Sequence, residues 1–144
     1  MGTLRRFSGA VASLDPAVAT NNGSEFVVAQ LYERLVAHPN GEPDPTPSLA
    51  TAWTVSDDHR QYRFTLGDSQ FHDGRPVTAA DVAYSFERVA SAPDSQHASL
   101  LLDTLGVVHE TDDGAYVPGS LGVEAVDDRT VELRLVRPFH AALD

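Results

Sequence analysis

The sequence predicts an α+β fold: an antiparallel sheet from two hairpins, with two main helices packed on one face. Three observations carry it. Trp53 and Val55 precede Asp57-Asp58, after which Tyr62, Phe64 and Leu66 alternate with Arg63 and Thr65, the pattern of a half-buried antiparallel hairpin. The same layout recurs as Val123 and Val126, then Asp127-Asp128-Arg129, then Val131, Leu133 and Leu135 alternating with Glu132 and Arg134. Helical spacing lies between and before these hairpins, so helices interleave with strand pairs, not with the single parallel strands of a βαβ unit.

Composition sets the bounds. The chain has 144 residues, 42% apolar, enough for about one domain with a real core. Ten Arg, no Lys and twenty-one Asp plus Glu leave a formal charge of −11, and beyond Arg5-Arg6 no basic cluster exists. Such a surface repels phosphate backbones and anionic membranes, so nucleic acid is not an expected partner. Cysteine is absent, which removes disulfides, thiolate catalysis and Cys-ligated zinc together. The longest apolar runs, such as Leu100 to Leu102, fall far short of the roughly 18 residues that span a bilayer.

Taken in chain order, Thr3 to Phe7 is β-compatible and opens without a leader; its pairing partners are expected elsewhere, and as an unpaired edge it is a template for self-association. Pro16 holds Asp15 out of the helical region. Asn22, three residues before Glu25, reads as a helix cap, and Phe26, Val27, Val28, Leu31, Tyr32, Leu35 and Val36 then follow helical spacing, predicting a helix from Ser24 to Ala37. His38-Pro39-Asn40-Gly41 stops it, and a loop with Pro43, Pro45 and Pro47 leads to Ala50. The second helix, Thr78 to Ala90, opens on a capping box of Thr78 and Asp81 and buries Val82, Phe86 and Val89, flanked by Ala79, Ala83 and Ala90. Pro93 ends it. A short helix is expected from Ser95 to Leu105, and His109 to Pro118 reads as a polar excursion, which would serve the further alternative of a purely structural or interaction subdomain.

Chemistry is thin on residues alone. Phe71-His72-Asp73-Gly74-Arg75-Pro76 holds a base, a carboxylate and a cation, and an enzyme reading pairs Asp73 with His72 as acid and base of a small hydrolase or metal site. The simpler reading makes Asp73-Gly74 a turn, with Arg75 solvated. Six scattered His residues include no pair at i, i+4, so no local metal site is predicted. Asp112-Asp113-Gly114 lacks the remaining ligands of a calcium loop, and Pro118-Gly119-Ser120-Leu121-Gly122 has Pro where a nucleophile elbow needs Gly. Neither a P-loop nor a GxGxxG occurs, so no catalytic residue and no cofactor is expected. The aromatics Trp53, Tyr62, Phe64, Phe71, Tyr84 and Phe86 read first as core and second as a pocket lining.

The order of these pieces is more specific than any one of them. Leu14-Asp15-Pro16, Leu31-Tyr32-Glu33-Arg34-Leu35-Val36 and Pro47 to Asp58 around Trp53 come first. Tyr62 to Leu66 around Phe64, then the run from Phe71 to Arg88, Val126 to Leu135 and Pro138-Phe139 follow. Together they resemble extracellular solute-binding proteins of family 5 from about Thr3 to Asp144. The resemblance implies a non-catalytic, extracytoplasmic receptor, periplasmic or lipid-anchored, whose signal segment is not in this chain. Such a receptor captures a small solute, most often an oligopeptide or dipeptide, and delivers it to an ABC permease in the membrane. It also implies a two-lobed periplasmic-binding-protein-like fold of class II, cluster C, of which this chain holds part of lobe I. Residues 1–23 would start lobe I, 24–144 would form its small subdomain, and the second lobe would be absent.

The resemblance places ligand-adjacent positions at Thr20, Asn21 and Asn22, after Leu-Asp-Pro, and at His97, where relatives carry an aromatic residue. Asn22 as a helix cap and His97 as a plainly exposed side chain are the competing readings. The signature residues Asp15, Pro16, Trp53, Phe64, Phe71, Asp73, Gly74, Pro76, Thr78, Asp81 and Val82 are expected to carry the fold and not the solute.

Overall fold

Both hairpins form where the alternation puts them. In the computed structural model, which describes residues 9–39, 44–105, 117 and 119–138, β3 (Ala50–Val55) pairs antiparallel with β4 (Gln61–Leu66), and β5 (Val123–Asp127) with β6 (Thr130–Arg134). The two pairs join through β4 and β6 into one sheet of order β3-β4-β6-β5. Trp53 lies opposite Phe64, and Phe64 opposite Val131, so one face carries Tyr62, Phe64, Leu66, Val131 and Leu133, all buried. Full burial of each such side chain contributes on the order of 2 kcal/mol.

The other face is wet and charged. Glu124 and Glu132 oppose each other across β5 and β6, a destabilising pair unless cations intervene. Arg134 does so, with Nη2 3.0 Å from Glu124 and Nε 2.9 Å from Glu132, while Arg63 reaches Glu132 from β4 at 2.8 Å. Glu132 is buried beneath these two arginines, which hold its carboxyl below the usual glutamate range.

Helix α2 (Ala79–Ser91) lies over β5 and β6 and against α3 (Ala98–Leu105). The Asp81 carboxylate accepts the Thr78 amide and hydroxyl, each at 2.8 Å, so the predicted pairing at the helix start is present. The Ala79 amide donates to the Asp128 backbone carbonyl at 2.9 Å, which ties that start to the β5–β6 turn. Of the expected stripe, Val82 is buried with Ala79 and Ala90, whereas Phe86 and Val89 are half-buried. Gly122 lets the chain pass between α3 and β6: its amide donates to the Leu105 carbonyl and its carbonyl accepts from the Arg134 amide, both at 2.7 Å.

The first helix departs from expectation. It runs Asn22–Leu31 (α1), not 24–37, and its cap is Asn21, whose Oδ1 accepts the Ser24 amide at 2.9 Å; Asn22 is the first helical residue. Leu35 and Val36 continue the helical spacing, but their backbone is claimed by other strands. The Arg34 and Leu35 carbonyls accept the Leu49 and Ala50 amides, and β1 (Val36–Ala37) pairs with β2 (Thr46–Pro47) inside the expected proline loop. Of the two main helices, α2 therefore supplies the contact with the sheet, and α1 faces α2 across an open cleft. Helix α3 starts at Ala98, three residues later than Ser95, because Ser95 is held in a turn by the Ala92 carbonyl. The strand expected at Thr3 to Phe7 and most of the excursion from His109 to Pro118 lie outside the described residues.

The aromatics divide. Tyr62 and Phe64 are core, Trp53 and Phe86 pack against it half-buried, and Phe71 and Tyr84 are 39% and 67% exposed. No described helix is long and apolar enough to cross a membrane.

Candidate functional site

Local chemistry dictates the loop after Ala12. Asp15 precedes proline and forms an Asx turn: its Oδ1 accepts the Ala17 amide at 3.0 Å, and its carbonyl accepts the Val18 and Ala19 amides. Ala17 and Ala19 are buried, and the chain emerges as exposed Thr20, Asn21 and Asn22 before α1 begins. Ser24 closes the far end. It is fully buried, and its Oγ accepts the Ala12 and Ser13 amides at 2.9 and 3.1 Å.

His97 meets this loop from 78 residues away: its Nε2 stands 3.2 Å from the Ala19 carbonyl. A carbonyl only accepts, so Nε2 carries the proton. Of the four positions singled out by resemblance, Thr20, Asn21, Asn22 and His97, His97 thus meets the residue that precedes Thr20, and it is half-buried and not plainly exposed. Asn21 spends its side-chain oxygen on the cap, which leaves its NH2 group and the exposed Thr20 and Asn22 side chains for other contacts. Beside this contact lies an open cleft of about 1020 Å³ between α1 and α2, whose lining includes Ala19, Val28, Tyr32, Arg88, Val89 and His97 but not Thr20, Asn21 or Asn22.

A residue that sequence reading left among the structural signature proves central to this cleft. Arg88 of α2 grips Asp15 with both arms, Nη1 to Oδ1 at 2.8 Å and Nη2 to Oδ2. The signal available was an arginine beside Val89 on the inward side of an amphipathic helix, which calls for a carboxylate, but nothing local names that carboxylate. The Arg88 guanidinium, then the Ala17 amide, lower the Asp15 carboxyl to about 2.

A depressed carboxyl contributes stability above its unfolded value and loses it as pH falls through the folded one. The Asp15 contribution is therefore complete above about pH 4 and gone near pH 2. The side chain is about a third exposed, so solvent screening reduces the contribution to about 1 kcal/mol. Thermal melts of the parent and Asp15→Asn should differ at neutral pH and converge between about pH 4 and pH 2. A constant difference across that range would rule out the linkage.

The hydrolase reading finds no support in geometry. Asp73-Gly74 is a turn, with Gly74 at φ +87° and Asp73 Oδ1 accepting the Arg75 amide at 2.9 Å. His72 and Asp73 are both exposed. Arg75 is not merely solvated: it pairs with Asp81 at 2.9 Å and lies 4.2 Å above the Phe71 ring, a cation–π contact that braces the turn against α2. Among the described residues no three His, Asp or Glu gather as a metal site. His109, Asp112, Asp113 and His140 lie outside them.

Comparison with known proteins agrees with this architecture. The chain is 35% identical over 139 residues to the periplasmic murein peptide-binding protein MppA of Escherichia coli, covering 94% of this chain and 26% of that one. It is 35% identical over 142 residues to the periplasmic oligopeptide-binding protein OppA of Salmonella typhimurium, covering 94% and 25%. Its fold superposes on the solved structure of MppA with a TM-score of 0.81 at 36% identity, covering 93% of this chain and 26% of that one. The corresponding values for Listeria monocytogenes OppA bound to peptide are 0.81, 30%, 93% and 26%. The chain thus spans about a quarter of the length of the relatives it matches. Residues 44–144 match the profile of the bacterial extracellular solute-binding proteins, family 5 middle, and the chain belongs to that family.

Proposed function

We propose that this chain supplies one wall of the solute cleft in the substrate-binding component of an ABC importer, and that the solute is a peptide. The observation that carries the reading is the joining of His97 to the Ala19 carbonyl, which sets an imidazole beside the exposed, polar Thr20–Asn22 segment. An exposed polar main chain at a cleft edge suits hydrogen bonding to a peptide backbone. Relatives named for murein peptide, oligopeptide and dipeptide binding support peptide as the solute class. On this reading residues 1–23 begin lobe I, residues 24–144 are its small subdomain, and the opposing lobe comes from sequence outside this chain. The role is capture and delivery to a membrane permease on the extracytoplasmic side, without catalysis and without a cofactor.

A single wall holds a solute weakly, at about millimolar concentration. Trialanine titrated into the 144-residue chain should move the amide resonances of Thr20, Asn21, Asn22 and His97 and leave the β4–β6 resonances in place. Calorimetric titration of the full-length protein against peptides, sugars and metal chelates completes the test. Binding of a sugar or chelate with no response to any peptide would overturn the peptide assignment.

A further inference from the structure

Arg88 is the cation that α2 presents to the cleft, and its guanidinium fork is committed to one residue, Asp15. Asp15 in turn organises the three residues that follow Pro16: its side chain takes the Ala17 amide, and its carbonyl takes those of Val18 and Ala19 at 3.2 and 3.0 Å. The next residues are Thr20, Asn21 and Asn22. Since α2 is packed on the sheet, a rigid path runs from the sheet through α2 and Arg88 to Asp15 and the turn. Downstream, Ser24 pins the segment through the Ala12 and Ser13 amides, and His97 holds its middle at Ala19. The Arg88 contact refers the segment's upstream end to α2.

We propose that Arg88 is a positioning residue for the Thr20–Asn22 wall: acting through Asp15 and touching no solute, it fixes where that wall stands relative to α2. What the wall contacts rests on the proposed function above; the clamp itself is tested without it. The planar fork matters, because lysine keeps the charge but grips one oxygen as a point charge.

The test compares the parent chain with Arg88→Lys by amide hydrogen exchange and by amide resonance positions. Exchange at Ala17, Val18 and Ala19 should speed up about tenfold, with β4 and β6 amides within about twofold of the parent. The Thr20, Asn21 and Asn22 resonances should move. A rise in exchange that is equal in the turn and in β4 and β6 reports loss of overall stability only, and overturns the clamp. So do unmoved wall resonances. If Arg88→Lys does not fold, Asp15→Asn makes the same comparison, since the amide oxygen still accepts from Ala17 while the charge opposite Arg88 is gone. Trialanine titration then separates the two readings. A parent that shows no response to trialanine counts against the segment as a peptide contact and leaves exchange to decide the clamp, and an unchanged trialanine response beside a displaced segment does the same, because the clamp is read from exchange and resonance positions alone.

Discussion

Replacing Gly122 with alanine should unfold much of the chain's stability. A Cβ built there would stand 2.0 Å from the Leu105 carbonyl oxygen and 2.3 Å from that of Arg134, both backbone atoms that cannot swing aside as a side chain would. Relief requires α3 and β6 to part, which breaks the two short hydrogen bonds that Gly122 makes to the same residues. Overpacking at about 1–3 kcal/mol, with two backbone hydrogen bonds at about 1 kcal/mol each, gives a loss of about 3–5 kcal/mol. Gly67 is the informative contrast, because its nearest neighbour is the Thr51 methyl, at 2.9 Å, which can rotate. Urea denaturation of Gly122→Ala and Gly67→Ala should show a large drop for the first and a much smaller one for the second. Equal midpoints would mean that α3 is not held where Gly122 places it.

Phe64→Ala should be comparably severe. Phe64 is 2% exposed in the strand at the middle of the sheet, with Trp53 on one side and Val131 on the other. Truncation leaves a cavity bounded by two strands already fixed in register, so little collapse is available, and the cost is about 3–5 kcal/mol. Phe71→Ala removes the same atoms from a 39% exposed site and should cost under about 1 kcal/mol, mainly through the lost contact with Arg75. A melting temperature for Phe71→Ala at or below that of Phe64→Ala would contradict the division of the aromatics between core and surface.

The contrast between these two phenylalanines also marks what sequence reasoning can reach. Alternation about a polar turn is a local signal, so both hairpins and the burial of Tyr62, Phe64, Val131 and Leu133 were legible, as was the start of α2 at Thr78 and Asp81. The end of α1 was not. Leu35 and Val36 keep helical spacing because they still pack against the core, but they do so from backbone that bonds to Leu49 and Ala50 and to β2, and a period cannot reveal a partner in another segment. The strands β1 and β2 have two residues each, one of them Pro47, too short for any alternation. At the cap, Asn21 and Asn22 are equally suited chemically, and the Ser24 amide decides between them. The ligand-adjacent positions Thr20 to Asn22 and His97 rest on family resemblance alone, whereas the Arg88–Asp15 pair joins residues 73 apart, a distance that no local pattern spans.

The strand order has a kinetic meaning. Each hairpin closes a short local loop and forms within microseconds, but β4 and β6, the central pair, bring Thr65 to Thr130 across about 65 intervening residues. That closure is the costly encounter in the search, since chain entropy is spent before any of the central contacts repay it. Helix α2 shortens the search, because it begins on the β5–β6 turn at Asp128 and lies within the intervening chain. The two halves of the sheet are thus fast modules whose docking sets the pace of folding.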